Sequence, residues 1–409
     1  MIRKLLPILG VTFIDIIGFS MLIPMLPYFV THFGASPFIV GVLFGTFSLC
    51  QFVTAPLWGN VSDRFGRKRV LIVSQIGATV GWAMLAFAPT IGWVFAARIV
   101  EGVSGGNISI TQAYVADLVE AKDRSRAFGL IGAMFGAGMI FGPFGGGLLF
   151  AHFGFAAPFL AAAALQFLTL MLTIVMLPES RARAADDEHL GMAEILQSFR
   201  KPRLSRILWQ KLAISLGLYG WFAVIALYLQ RQLSFSLTQT DYFFSLFAVF
   251  NVFVNVFLIG RISGWLGDRR MSNVGLASLT VAFATVPFVH DLTMLSVTMI
   301  LFSFGMALVN TGITALISNA ATDREQGTVL GASSSLDSLS GILAPPVSTG
   351  LLAGFGPAFA AVQPLSLVVV ALVMGLVNAR REGSPPTPDI ATLGLAREIE
   401  TAKVENASQ

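Results

Sequence analysis

Cysteine occurs once in this chain, at Cys50, which excludes an intramolecular disulfide and a cysteine metal cluster. Charge is scarce: only 12% of the 409 residues are Asp, Glu, Lys or Arg, against about 25% in soluble globular chains. The four histidines, His32, His152, His189 and His290, lie far apart and follow no metal-ligand spacing, so no metal is expected. No glycine-rich stretch is followed by Gly-Lys-Ser/Thr, so no nucleotide cofactor is expected. A net charge of +4, scattered along the chain, argues against a nucleic-acid partner. No catalytic constellation stands out, and an enzyme is not expected.

What the chain has in excess is apolar length. With 55% hydrophobic residues and a mean hydropathy of +0.77, its partner is the lipid bilayer. Apolar runs of about 20 residues suffice to span lipid. Twelve read as helical spans, near 5–30, 37–59, 70–88, 91–115, 127–150, 155–178, 206–230, 240–260, 273–289, 292–318, 327–353 and 357–379. The first is long, contains Asp15 and lacks a small-residue cleavage site, so it reads as a retained helix. One set of connections carries Arg64, Arg67, Lys68, Arg69, Lys122, Arg200, Lys201, Arg269, Arg270, Arg324 and further basic residues, and the opposite set only Arg231. Cytoplasmic loops retain Lys and Arg, so both termini are expected in the cytoplasm.

The expected organisation is an N-terminal six-helix bundle at 1–178, a cytoplasmic loop at 179–205, a C-terminal bundle at 206–380 and a disordered tail at 381–409. The halves repeat. Gly59-Asn60-Val61-Ser62-Asp63-Arg64-Phe65-Gly66-Arg67 returns as Gly260-Arg261-Ile262-Ser263-Gly264-Trp265-Leu266-Gly267-Asp268, at an offset of 201 residues. Gly142-Pro143 and Ala344-Pro345-Pro346 add a second match in spans 5 and 11. Parallel repeats imply a pseudo-two-fold axis along the membrane normal and a substrate site between the halves near mid-bilayer. The fold class is therefore all-α membrane protein, two pseudo-symmetric six-helix bundles.

Three carboxyls fall near mid-membrane. Asp15 lies roughly 15 Å into span 1, where an ionisable group is costly and is expected to face a cavity. The candidate role is proton exchange; the alternative is a structural hydrogen bond to a neighbouring helix. Glu101, in span 4, has Arg98 one turn away on the same face. The pair is either a proton-exchanging site or a static strut. Asp337 lies in a serine-rich stretch of span 11 as a coupling or substrate residue. Lys211, near the start of span 7, is expected to snorkel to the interface, the alternative being a place in the cavity. Gln51, Asn107, Gln112, Tyr219, Trp221, Asn251, Asn255 and Asn310 are the candidate lining of a mostly apolar cavity for a small amphiphile. Gly138, Gly142 and Gly146, spaced by four, share one face of span 5, which Pro143 bends. That face serves either helix packing alone or the surface on which the halves rock.

Several motifs together resemble the major facilitator superfamily, and within it the twelve-helix drug/proton antiporters, tetracycline efflux proteins above all. They are the loop Gly59–Arg69, Asp15-x-x-Gly18 with Pro24-x-x-Pro27, Arg98-x-x-Glu101-Gly102, and Gly138-x-x-x-Gly142-Pro143-x-x-Gly146-Gly147. The resemblance covers nearly all of the chain except the central loop and tail. It implies a gating loop (Gly59, Asp63, Arg64, Gly66, Arg67) in which Asp63 meets the positive N-terminal end of helix 11. Arg67 would meet an acid at the end of helix 4, here Asp117, and both contacts would stabilise the outward-open state. It also implies a monomer in the cell inner (plasma) membrane that exports a small molecule in exchange for protons. Two departures stand out: spans 3 and 9 lack the acids that tetracycline exporters use, which argues against tetracycline itself, and Glu101 replaces a usually neutral residue, suggesting a relocated acidic site. The alternative function is transport of a natural metabolite such as a sugar, amino acid or siderophore, by uniport or import.

Overall fold

The computed structural model describes residues 2–105, 110–111, 114–115, 118–119, 124–179, 201–320 and 326–383. Helices follow in chain order: α1 (Ile2–His32), α2 (Pro37–Phe65), α3 (Arg67–Ala86), α4 (Ile91–Ser104), α5 (Arg124–Phe153), α6 (Ala156–Met176), α7 (Pro202–Gln232), α8 (Leu237–Phe253), α9 (Ile259–Thr285), α10 (Leu292–Asn319), α11 (Gln326–Phe355) and α12 (Val362–Gly383). Among the described residues there is no strand. Local chemistry sets the starts. Pro37 and Pro202 open α2 and α7, where a missing N–H costs nothing. Thr90 and Asp291 cap α4 and α10, and Ser236 and Gln239 form a capping box at α8.

Among the described residues ten stretches are long and apolar enough to cross a membrane, and one of them, Leu237–Phe288, is 52 residues long and holds two spans. Its eighth span is longer than expected: α8 runs through a π-helical stretch, Val254–Leu258, into α9, and the chain turns only at Gly267. The ninth span accordingly begins before residue 273. The fourth span is seen as far as Ser104 and Gly105, and much of its expected continuation lies outside the described residues, as do 180–200 and 384–409.

The repeat read in the sequence has a backbone counterpart. Gly66 and Gly267, 201 residues apart, both take positive φ, +99° and +68°, at the turn after spans 2 and 8. A side chain there would meet its own backbone, which is why glycine holds both positions. The turns after spans 5 and 11 match likewise at Gly154 and Gly356, and those after spans 1 and 7 at Gly34 and Ser234. Each half therefore repeats its turns as well as its helices.

Within the N-terminal half α1 packs on α5 and α6, and α3 on α4 and α6; in the C-terminal half α7 packs on α11 and α12, and α9 on α10 and α12. Two seams, α2 against α11 and α5 against α8, join the halves. At the first, Gly41 and Gly45 present bare backbone to Pro345, Pro346 and Ile342, and Ser48 faces Gly341. At the second, Gly147 lies against Asp241 and Gly136 against Val252. Tyr28 reinforces it from α1, its hydroxyl donating to the Phe235 carbonyl at 2.8 Å and sharing a 2.7 Å bond with Thr240. These contacts lie between mid-depth and the end of the molecule away from the two termini.

The glycine stripe of span 5 is differently employed from one of its two readings. Gly138, Gly142 and Gly146 face Ile16, Ser20 and Met21 of α1, inside their own half, and Ser20 donates to the Gly138 carbonyl at 2.9 Å. The seam uses the other glycines, Gly136 and Gly147. Pro143 is buried within α5.

Candidate functional site

α7 and α11 build the principal polar site. Lys211, Ser215 and Tyr219 recur every four residues along α7 and so share a face. Asp337 of α11 meets that face: Lys211 Nζ lies 2.8 Å from Asp337 Oδ1, and Ser215 Oγ donates to the same oxygen at 2.6 Å. One turn further along α11, Gly341 abuts both Tyr219 and Ser48 of α2, placing the ion pair directly beside the α2–α11 seam. The pair is not closed off: Lys211 is 13% exposed and Asp337 32%. Lys211 thus does not snorkel to the interface, because a carboxylate at its own depth offers a shorter reach. Its pairing was invisible in sequence, where 126 residues separate the partners.

Arg98 and Glu101 pair as their spacing predicts, but in a dry setting. They are 3% and 6% exposed, on the face of α4 that meets α2 and α3. The Arg98 guanidinium lies over the Phe47 ring at 5.4 Å and over Trp82 at 5.8 Å, so its charge is also met by aromatic faces. Gly81 leaves room for Glu101, since a Cβ there would collide with its side chain.

Asp15 turns to α6, where Thr169 Oγ1 donates to it at 3.3 Å and Gln166 Nε2 donates to Thr169 at 3.1 Å. Gly18, one turn on, packs against Trp82, the same indole that underlies Arg98. Trp82 thus touches both Gly18 of the Asp15 helix and the Arg98 guanidinium.

The expected cavity lining divides. Tyr219 is 41% exposed beside the Lys211–Asp337 pair. Trp221 departs from expectation: it is 4% exposed inside the C-terminal half, its ring edge-on to Phe283 at 5.3 Å and near Tyr228 and Phe302. It is two residues from Tyr219, which turns it to the other side of α7. Gln51 donates to the Gly105 carbonyl at 2.9 Å, tying α2 to α4. Asn251 donates to the Ser303 carbonyl at 3.4 Å, and Asn255, exposed at the π-helical stretch, donates back to Asn251. Asn310 is exposed on α10. Asn107 and Gln112 lie outside the described residues.

At the loop between α2 and α3, Arg64 is exposed and Arg67 donates to Ser62 Oγ at 2.6 Å. Gly59 is near the end of α2, where an added Cβ would meet no other part of the molecule within 4 Å. Glu179, a residue with no motif to single it out, accepts from the Lys68 backbone N–H at 3.0 Å and so caps α3 from the end of the sixth span. Gly66 closes tightly on that carboxylate. The Asp63 side chain and Asp117 lie outside the described residues, and with them the contacts expected of the loop.

Comparison with known proteins fits this geometry. The family profile of the Major Facilitator Superfamily matches residues 8–345 and 213–402. Tetracycline resistance protein class C of Escherichia coli is 30% identical over 358 residues, covering 86% of this chain and 90% of that protein. Multidrug resistance protein 2 of Bacillus subtilis is 28% identical over 341 residues, 81% and 84% of the respective chains. Among solved structures, a bacterial homologue of the human lysosomal transporter Spinster, in an inward-facing and unoccupied conformation, superposes with a TM-score of 0.76 over 94% of this chain and 98% of its own, at 16% identity. The chain belongs to the Major Facilitator Superfamily, and it is a multi-pass membrane protein whose relatives include drug efflux proteins.

Proposed function

We propose that this chain is a proton-coupled exporter of small amphiphilic compounds that works by alternating access. The observation that carries the reading is the partly open Lys211–Asp337 pair at the edge of the α2–α11 seam. Asp337 is the group in contact with both Lys211 and Ser215 and is open to solvent, so neutralising its charge would release both partners together. Because Gly341, one turn from Asp337, touches Ser48 of the other half, a change at the pair acts where the halves meet. Substrate held by the same polar groups and the aromatic face of Tyr219 then competes with the proton. Asp15 and the Arg98–Glu101 pair are further proton-coupling candidates in the N-terminal half, and their closed surroundings favour Asp337 as the carboxyl in contact with solvent in this conformation.

The positively charged connections support a cytoplasmic location for both termini and residence in the inner, plasma membrane. On that orientation the seams close the outer side, so the conformation is inward-open. The gating loop would then form its Asp63 and Arg67 contacts in the opposite, outward-open state. We take the chain to act as a monomer. The test is accumulation of a lipophilic cationic dye, and separately of tetracycline, in cells expressing the chain. Export that lowers accumulation and disappears with a protonophore supports the reading; accumulation indifferent to the protonophore and to Asp337→Asn would refute it.

A further inference from the structure

A fourth carboxyl belongs to none of these sites. Asp241 is the fifth residue of α8, 0% exposed, and neither of its carboxyl oxygens has a hydrogen-bond partner. It lies at the seam between the halves: a Cβ added to Gly147 of α5 would stand 2.8 Å from Asp241 Cβ and 3.1 Å from Oδ2. Around it the closure is built of hydrogen bonds, Tyr28 to Thr240 at 2.7 Å and Thr238 to the Gly147 carbonyl at 3.4 Å, and the Tyr242 ring packs on Phe144 at 5.6 Å. The ionisable group facing it from α1 is Tyr28, whose hydroxyl is already engaged. Toward the same end of the molecule α5 carries His152, bonded to the Leu148 carbonyl, α7 carries Arg231, which is exposed, and α10 is preceded by Asp291, which caps that helix. None of them forms an ion pair with Asp241 among the described residues. An ionised carboxylate shut in here would lose its hydration and gain no partner. The neutral acid fits the closed seam, and the ionised acid fits a seam that has parted and admitted water.

We propose that Asp241 is a proton-carrying residue of the α5–α8 seam: the seam closes on the neutral acid and parts as the acid ionises. A proton taken up from the side the seam faces is thereby bound as that side closes, which adds a point of proton coupling at the α5–α8 seam, distinct from Asp337 beside the α2–α11 seam. The proposal rests on alternating access, yet its test reads the seam and needs no transport. Spin labels at Phe153 on α5 and Arg231 on α7, both exposed, in a Cys50→Ser background, report the separation of the halves at this end. Between about pH 5.5 and 8.5 the wild-type open fraction should rise with pH, by at most about tenfold per unit, the limit for one proton. Asp241→Asn should stay closed throughout and Asp241→Glu should keep the response. Asp241→Ser, a second neutral variant, carries the same expectation should the asparagine variant not fold. An unchanged pH response in the neutral variants, or none in the wild type, would overturn the proposal. A wild-type seam that parts on adding a compound but not with pH would overturn it while leaving alternating access intact.

Discussion

Lys211 on α7 and Asp337 on α11 meet at 2.8 Å, with Ser215 donating to the same carboxylate oxygen, across a helix contact that directly borders the other half of the molecule. Asp337 is about one third exposed, so solvent screens the pair, and its direct contribution to stability is about 1 kcal/mol or less. Its role is then expected in coupling. Lys211→Ala and Asp337→Asn should each lower proton-driven export at least about tenfold, equivalent to roughly 1.4 kcal/mol, while moving Tm by only a few degrees. Flux assays beside thermal unfolding check both halves of that statement.

The Arg98–Glu101 pair should behave in the opposite way. Both side chains are nearly inaccessible, so removing one strands the other, which costs about 3–5 kcal/mol. Arg98→Ala and Glu101→Gln should therefore cut Tm and expression sharply. A Glu101→Gln variant of wild-type stability would show that the pair is not held as described.

How much of this was legible in the sequence depended on periodicity and repetition. Twelve apolar runs stood out because lipid demands about 20 apolar residues for each span. The repeat at an offset of 201 anticipated the matched turns at Gly66 and Gly267. Facing was not legible, since helices apolar on every side carry no amphipathic signal. Tyr219 and Trp221 are therefore alike in sequence although they point to opposite sides of α7, and Lys211, near the start of its span, is as compatible with the interface as with the cavity. Asp241 escaped notice because it stands at the polar mouth of a span, where an acid ordinarily serves a solvated helix start. Only the packing of Gly147 on it reveals the burial.

Span 5 offers a comparison within one helix. A Cβ at Gly142 would run into Ser20 and the Ile17 carbonyl, whereas Gly145 has nothing within 4 Å. Gly142→Ala should destabilise by about 1–3 kcal/mol through overpacking, and Gly145→Ala should be neutral or slightly stabilising through the better helix propensity of alanine. Thermal unfolding of the two purified variants in one detergent makes the comparison.

The paired turns allow another. Gly66→Ala and Gly267→Ala both force a side chain into positive φ, at about 1–3 kcal/mol. Gly66 also abuts Glu179, while Gly267 faces open space, so the first substitution should cost more. Adding Glu179→Ala to Gly66→Ala should recover part of that difference in Tm, less the lost cap on α3.

The most direct test of the whole account is vectorial exchange. The purified protein would be placed in liposomes with a pH dye trapped inside, under an imposed proton gradient, and challenged with a panel of amphiphilic drugs and small metabolites. Proton flux that depends on an amphiphilic drug, and that is lost in Asp337→Asn, is the predicted result. Solute accumulation with no accompanying proton movement would contradict proton-coupled export and favour metabolite uniport instead.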